Sequence, residues 1–370
     1  MPEELSGNLG DAFWLLCRCP TAPGLCYTLL AMPSVSSFIA ALPKAELHMH
    51  LEGSLEPETL MALARRNGVR LPYADAGELR RAYQFENLQS FLDLYYLGLT
   101  VLQTGADFHE MTAAYLTRAA SQNVRHAEVF ISPQAHLRRG IAMQEVIEPV
   151  LAAFADASAR HGITGGLIAG IQRQFDEADA LAMIAALKPW RDRLLGLGLG
   201  GPEVGHPPAK FRKAFALARG DYGWATVAHA GEEGGADYVR EALDVLAVDR
   251  IDHGVRCEAD PDLIDRLAER GTPLTVCPCS NIMLRVFPDM SKHNIRRLHQ
   301  AGLCVSVNSD DPSYFGGYIN ENFAAIQEAL GFSDDELWQL ARNGFTSAFL
   351  SDDLRTRYLA EFEQHRRRPA

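Results

Sequence analysis

Short apolar runs recur along the chain, each closing near Gly, Pro, His or Asp and each followed by residues with helical spacing. The runs cover 45–49, 124–131, 166–171, 194–199, 225–229, 250–253, 273–277 and 304–308. Between them, apolar positions at three- and four-residue intervals predict helices over 56–66, 87–104, 143–160, 236–246, 264–270 and 295–301. Further helices are predicted over 321–330, 334–342 and 354–366. Strands that alternate with helices form parallel sheets with crossover helices. Eight such units predict an α/β fold, a (β/α)8 TIM barrel, in preference to an unusually wide open sheet. The long interval after the first strand predicts a helical insertion capping the barrel mouth, and extra helices follow the eighth strand.

The first residues break the pattern. They mix Trp14, three cysteines and Pro/Gly punctuation without periodicity, and a second methionine follows at Met32. Residues 1–35 are expected to be a poorly structured N-terminal extension, a misplaced start codon being preferred to a segment folded on the surface. Residues 36–366 are expected to form one barrel domain.

Composition narrows the class. With 47% hydrophobic and 22% charged residues the chain suits a globular protein with a large core. Its net charge is -12, and outside Arg366-Arg-Arg368 its basic residues are scattered. That pattern lacks the stripe expected of a nucleic-acid binder. No apolar run reaches the ~20 residues of a membrane helix. Seven cysteines in no regular framework suit reduced thiols and a cytoplasmic location. The partners expected are a small molecule and, at most, further copies of the chain.

Candidate chemistry gathers at the strand ends, where barrel enzymes build their sites. His48 and His50 are two apart on the first strand and therefore share a face. His229-Ala-Gly-Glu232 closes the fifth strand, His253 the sixth, and Asp310-Asp311-Pro312 follows the eighth. Each cluster alone also fits a core histidine pair, a helix N-cap acid or a simple turn. Together, imidazoles and a carboxylate are the ligand types of a metal that activates water.

His48-Met-His-Leu-Glu-Gly53, His229-Ala-Gly-Glu232, Arg250-Ile-Asp-His-Gly254, Cys277-Pro-Cys-Ser-Asn281 and Ser309-Asp-Asp-Pro312 together resemble the adenosine and adenine deaminase family of metal-dependent amidohydrolases. The resemblance runs from about Pro43 to Phe349. It implies that His48, His50, His229 and Asp310 bind one zinc ion per subunit. It further implies that Glu232 donates a proton to the purine ring, that His253 orients or deprotonates the attacking water, and that Asp311 holds the imidazole nitrogen. Residues 202–208 and 314–323 look closer to the adenine branch, which converts adenine and water to hypoxanthine and ammonia. Glu52, where nucleoside deaminases tend to carry Asp, is expected to limit room for ribose, and Gly201 to approach the flat base.

Other readings stay open. Ile282, Met283 and Arg285 depart from the adenine branch and would suit an enlarged pocket for an N6-substituted adenine such as a cytokinin. Adenosine is a further alternative. Gly196-Leu-Gly-Leu-Gly-Gly201 satisfies G-x-G-x-x-G and keeps a dinucleotide-binding oxidoreductase as a remote rival, although Pro202 and Pro207-Pro208 stand where a helix should begin. His126-Ala-Glu128 and Pro278-Cys279 imitate another zinc deaminase pattern, but Ile282 occupies the place of its second cysteine. The stretch 199–202 lacks the lysine that bridges two metals, and a structural zinc would be closed by Cys and His ligands.

Overall fold

The computed structural model describes residues 34–366, so all but Ser34 and Val35 of the expected extension lies outside the described residues. Eight strands follow one another around a barrel: β1 Lys44–His50, β2 Val124–Ile131, β3 Thr164–Gln172, β4 Gly196–Gly200, β5 Ala225–Ala230, β6 Arg250–His253, β7 Leu274–Val276 and β8 Val305–Val307. Each strand pairs in parallel with the next, in sequence order. The seam between the last strand and the first is drawn together beyond the end of β8. There the His50 N–H donates to the Asp310 carbonyl at 2.8 Å, and the Asp310 N–H donates to that of His48 at 3.0 Å. Lower in the same seam the Leu47 N–H donates to Asn308 Oδ1 at 2.8 Å. The result is a (β/α)8 TIM barrel, as the alternating pattern predicts.

The insertion after β1 holds helices Pro57–Arg66, Ala76–Arg81, Leu88–Leu99 and Gly105–Ser121. The predicted helix over 87–104 stops at Leu99, because Thr104 and Asp107 form a capping box that starts the next one. The segment 236–246 is helical throughout, but its last turn widens to a π-helix before Ala247 at φ 50°. After β8 come helices Pro312–Phe315, Ile319–Leu330, Asp334–Ser347 and Asp352–Arg366. Among the described residues no helix is long and apolar enough to cross a membrane.

The glycines of β4 answer the dinucleotide rival. A Cβ on Gly198 would meet the Phe130 ring at 2.5 Å, so its bare backbone admits that ring to the barrel interior. No phosphate-binding helix follows; the chain runs through a loop to a short 3-10 turn at Pro208–Phe211.

The floor of the barrel is polar. Arg250 is fully buried and donates from Nη1 to Glu128 Oε2 at 2.6 Å and from Nη2 to the Leu47 carbonyl at 2.9 Å. Its guanidinium also lies 4.5 Å from the centre of the Phe349 ring. Glu128 Oε1 accepts from the Phe349 N–H and lies 3.2 Å from His126 Nε2. His126 and Glu128 thus serve the floor, not a second zinc-deaminase motif. Arg250→Ala leaves the Glu128 carboxylate buried without its cation, and a loss of about 3–5 kcal/mol in unfolding free energy by urea titration is expected.

Candidate active site

Side chains at the C-terminal ends of the strands converge on one point. His48 Nε2 lies 3.0 Å and His50 Nε2 3.2 Å from His229 Nε2. Asp310 Oδ1 is 3.4 Å from His48 Nε2 and 3.3 Å from His50 Nε2. A tetrahedron built on zinc–nitrogen bonds of about 2.0–2.1 Å has edges of roughly 3.3–3.4 Å. The four donor atoms are therefore spaced as ligands of one ion.

The other faces of the rings are committed. His48 Nδ1 is 3.2 Å from the Thr275 carbonyl, which can only accept, so the proton sits on Nδ1 and Nε2 presents a lone pair. His229 Nδ1 faces Asp252 Oδ2 at 3.5 Å, and Asp252 Oδ1 accepts from Thr275 Oγ1 at 2.8 Å. When both rings are neutral their Nε2 lone pairs meet at 3.0 Å beside the Asp310 carboxylate, an arrangement that suits a cation bound between them. Burial, joined by the neighbouring imidazoles, holds His229 well below the ordinary histidine range and keeps it in the neutral form a ligand needs. Burial alone would raise the Asp310 carboxyl, but His48 and His50 outweigh it and hold that group well below the usual range. Phe130 braces the cluster, stacked on His50 at 4.9 Å and edge-on to His48 at 5.5 Å.

Beside the cage stand Glu232, His253 and Asp311. Both His253 and Asp310 have left-handed backbone, φ 63° and 62°, a strained conformation for side-chain-bearing residues. The reversal lets consecutive residues face one site, Asp252 with His253 and Asp310 with Asp311, which a regular strand forbids. His253 Nε2 is 3.6 Å from Glu232 Oε1 and 3.8 Å from Asp310 Oδ2.

Its tautomer follows from a chain that begins on a backbone amide. The Ile295 N–H donates to His293 Nδ1 at 3.0 Å, so neutral His293 carries its proton on Nε2 and donates to Asn281 Oδ1 at 3.1 Å. The Asn281 amide then donates to His253 Nδ1 at 3.3 Å, leaving the His253 proton on Nε2, toward the cage. That nitrogen is buried and has no hydrogen-bond partner among the described residues. Burial, with His48 nearby, lowers His253 to about 3.

Glu203 secures the loop that carries Glu232. Its Oε1 accepts from the Gly231 N–H at 2.6 Å, and its Oε2 accepts from those of Glu232, Glu233 and Gly234 at 3.0, 2.8 and 2.8 Å. Burial, followed by the charges of Asp310 and Glu203, raises the Glu232 carboxyl well above its usual range. A bound dication would draw it back toward the range in which an acid serves at neutral pH. Burial and the adjoining Asp310 raise Asp311 likewise.

These groups line a cavity with about 590 Å³ of empty space, part of it open to solvent. Gly200 and Gly201 contribute backbone, the latter at φ 94°. Leu88, Phe91, Leu92, Tyr95 and Tyr96 from helix Leu88–Leu99 supply an apolar side. Among the described residues that line it there is no lysine or arginine.

The sequence model of the adenosine deaminase family matches residues 43–365. The chain belongs to the adenosine deaminase family. An adenine deaminase of Sphingopyxis alaskensis is 53% identical over 330 residues, covering 89% of this chain and 96% of the relative. One from Hahella chejuensis is 51% identical, covering 90% and 99%. Among solved structures, the adenine deaminase of Arthrobacter aurescens superposes with a TM-score of 0.86 at 47% identity, covering 87% of this chain and 98% of that one. An amidohydrolase of Burkholderia ambifaria, solved with bound zinc, gives 0.81 at 32% identity, covering 89% and 93%. As a member of this metal-dependent family the chain is a hydrolase acting on carbon–nitrogen bonds of cyclic amidines.

The family motifs bring together His48, His50, His229, Asp310, Glu232, His253, Asp311 and Gly201. Glu52 is placed differently from the expectation. It is fully buried and absent from the cavity lining; its Oε1 accepts from the Ser132 N–H at 2.8 Å and from His136 Nε2 at 3.0 Å. It lies in the 3-10 turn Leu51–Ser54, all four of whose residues are buried, and its side chain is taken up by Ser132 and His136. Of residues 282–285 only Leu284 lines the cavity, so Ile282, Met283 and Arg285 do not enlarge it. Sequence reading missed Glu203, Asp252, Thr275 and the Asn281–His293 relay. Asp252 had a usable signal, since it shares the inward face of β6 with Arg250. Glu203 had none, an acid in a Pro/Gly-rich turn being an ordinary surface feature.

Proposed function

We propose that the protein is a zinc-dependent adenine deaminase, taking adenine and water to hypoxanthine and ammonia. The observation that carries the reading is the convergence of three imidazole nitrogens and one carboxylate oxygen beside a buried glutamic acid, at the inner end of a small cavity. His48, His50, His229 and Asp310 would hold the metal. When bound, the ion acts as a Lewis acid that brings the pKa of a water to about 7. The N3O donor set suits zinc, as does the zinc bound in the Burkholderia amidohydrolase.

The remaining steps fall to the chain's own side chains. Glu232 delivers a proton to the ring nitrogen beside the attacked carbon, relieving the charge that attack places there. His253 points an N–H toward the reacting oxygen and orients it, which favours orientation over proton removal as its role. Asp311 hydrogen-bonds the imidazole nitrogen and sets which face of the base is presented. Gly201 lets the backbone approach the flat ring, with Glu52 supporting the wall from behind. The apolar residues of helix Leu88–Leu99 exclude water from the base.

Free adenine is preferred as substrate because the high-identity relatives are adenine deaminases and, among the described residues, the cavity lining offers no lysine or arginine to a nucleotide phosphate. Competition among adenine, adenosine and N6-isopentenyladenine, followed by purine ultraviolet absorbance, tests it. Adenine should show the highest kcat/KM. A preference for either competitor by about tenfold or more would overturn the assignment of substrate.

A further inference from the structure

We propose that Glu203 is a positioning residue for the proton donor: its carboxylate is the template on which the Gly231–Gly234 loop forms, and so fixes Glu232 against the cage. The inference rests on the role assigned above to Glu232. Four consecutive main-chain N–H groups turned to one side form an anion-binding concavity, and Glu203 fills it from within the same chain. Without that anion, three buried donors and the half-buried Glu233 N–H would be left unpaired, the buried ones at appreciable cost. The loop would then take another path, and Glu232 with it.

The stereochemistry of the loop is fitted to this carboxylate. Gly231 has φ 72°, and a Cβ there would meet Val239 Cγ2 at 2.6 Å. A Cβ on Gly234 would meet the Tyr238 ring at 2.8 Å and Glu203 Cδ at 2.9 Å. Glycine is thus required at both ends of the segment that wraps the acid. Glu203 is itself anchored by the turn after β4, where its carbonyl accepts from the His206 N–H at 3.1 Å. Arg173 ties the same region to β5, donating to the carbonyls of His229 at 2.8 Å and His206 at 3.0 Å.

Glu203 is not a substrate or metal ligand in waiting. A carboxylate offers about four acceptor sites. Three N–H donors saturate Oε2 and a fourth holds Oε1, the side chain is buried, and it does not line the cavity. Its influence on the reaction therefore passes through the loop.

The test is a double-mutant cycle with adenine as substrate. Glu203→Gln keeps the shape but turns an amide N–H2 toward N–H donors. It should lower kcat on the order of 10²-fold, the effect of a small displacement of a reacting group, while KM and zinc content stay within about twofold of wild type. Combined with Glu232→Gln it should add almost nothing to the loss already caused by that change. Should Glu203→Gln not fold, Glu203→Asp keeps the charge but draws it back from the loop by one methylene, and should give the same split between kcat and KM. An unimpaired Glu203→Gln, or a loss that multiplies in full onto that of Glu232→Gln, overturns the inference. Inactive Glu232→Gln beside fully active Glu203→Gln overturns this inference alone, whereas a Glu232→Gln enzyme at full rate overturns the assignment of the proton donor as well.

Discussion

Glu232→Gln is expected to lower kcat by roughly 10²–10⁴-fold, the usual contribution of a positioned general acid. The amide matches the carboxyl in volume and keeps its main-chain N–H in the grip of Glu203, but it has no acidic proton to give. Glu232 stands outside the group of four donors that surrounds the metal position, so zinc content should remain one per chain. Its Oε1 lies 3.6 Å from His253 Nε2, and because burial and the charge of Asp310 push the Glu232 carboxyl toward its neutral form, the neutral amide adds no new charge beside that ring. Hypoxanthine should still bind, since Asp311 and the Gly201 backbone are untouched. Steady-state kinetics, metal analysis and product binding on one preparation separate these effects. A variant with near-native kcat would remove Glu232 from the reaction.

The second large effect is expected on taking away the ion or one of its ligands. Chelation, or His229→Ala, should cost activity by at least about 10³-fold, the several kcal/mol that a Lewis acid supplies to a developing charge. Zinc added back should restore the chelated wild type and leave His229→Ala inactive. Stability should move in the same direction. An ion that binds only the folded chain stabilises it by RT ln(1 + [L]/Kd), so the wild-type melting temperature should climb with zinc concentration. In His229→Ala that climb should be absent or much reduced, because the atom shared by the 3.0 and 3.2 Å contacts is gone. Equal melting temperatures with and without zinc, in fully active wild type, would contradict the metal reading.

The barrel was legible because its physics is periodic. Six predicted runs start and end within a residue of β1, β2, β5, β6, β7 and β8, and the helical stretches between them require parallel pairing. The metal donors were legible because alternation puts His48 and His50 on one face and because barrel sites gather at strand ends. Asp252 with His253, and Asp310 with Asp311, escape alternation through a left-handed turn at one residue of each pair, and no periodic rule anticipates it. Family resemblance supplied the roles of His253, Asp310 and Asp311, and not that of Asp252. Contacts made by loops distant in sequence were hidden altogether. His293 reaches the site through Asn281 only because a backbone amide at Ile295 fixes its proton. Glu203 looked like a turn residue until the loop it shapes was seen around it. Glu52 shows the reverse case, a motif residue whose neighbour in sequence enters the site while it faces His136.

Asp310 spans the gap between the first and last staves with its main chain, and its side chain is offered to the ion. An ion seated there would pull on the hoop as well as on the reactants. The ends of the ring would then be free to part only after the metal had let go. Loading the cofactor and finishing the cylinder would be one cooperative act, and an empty protein would loosen first along that edge.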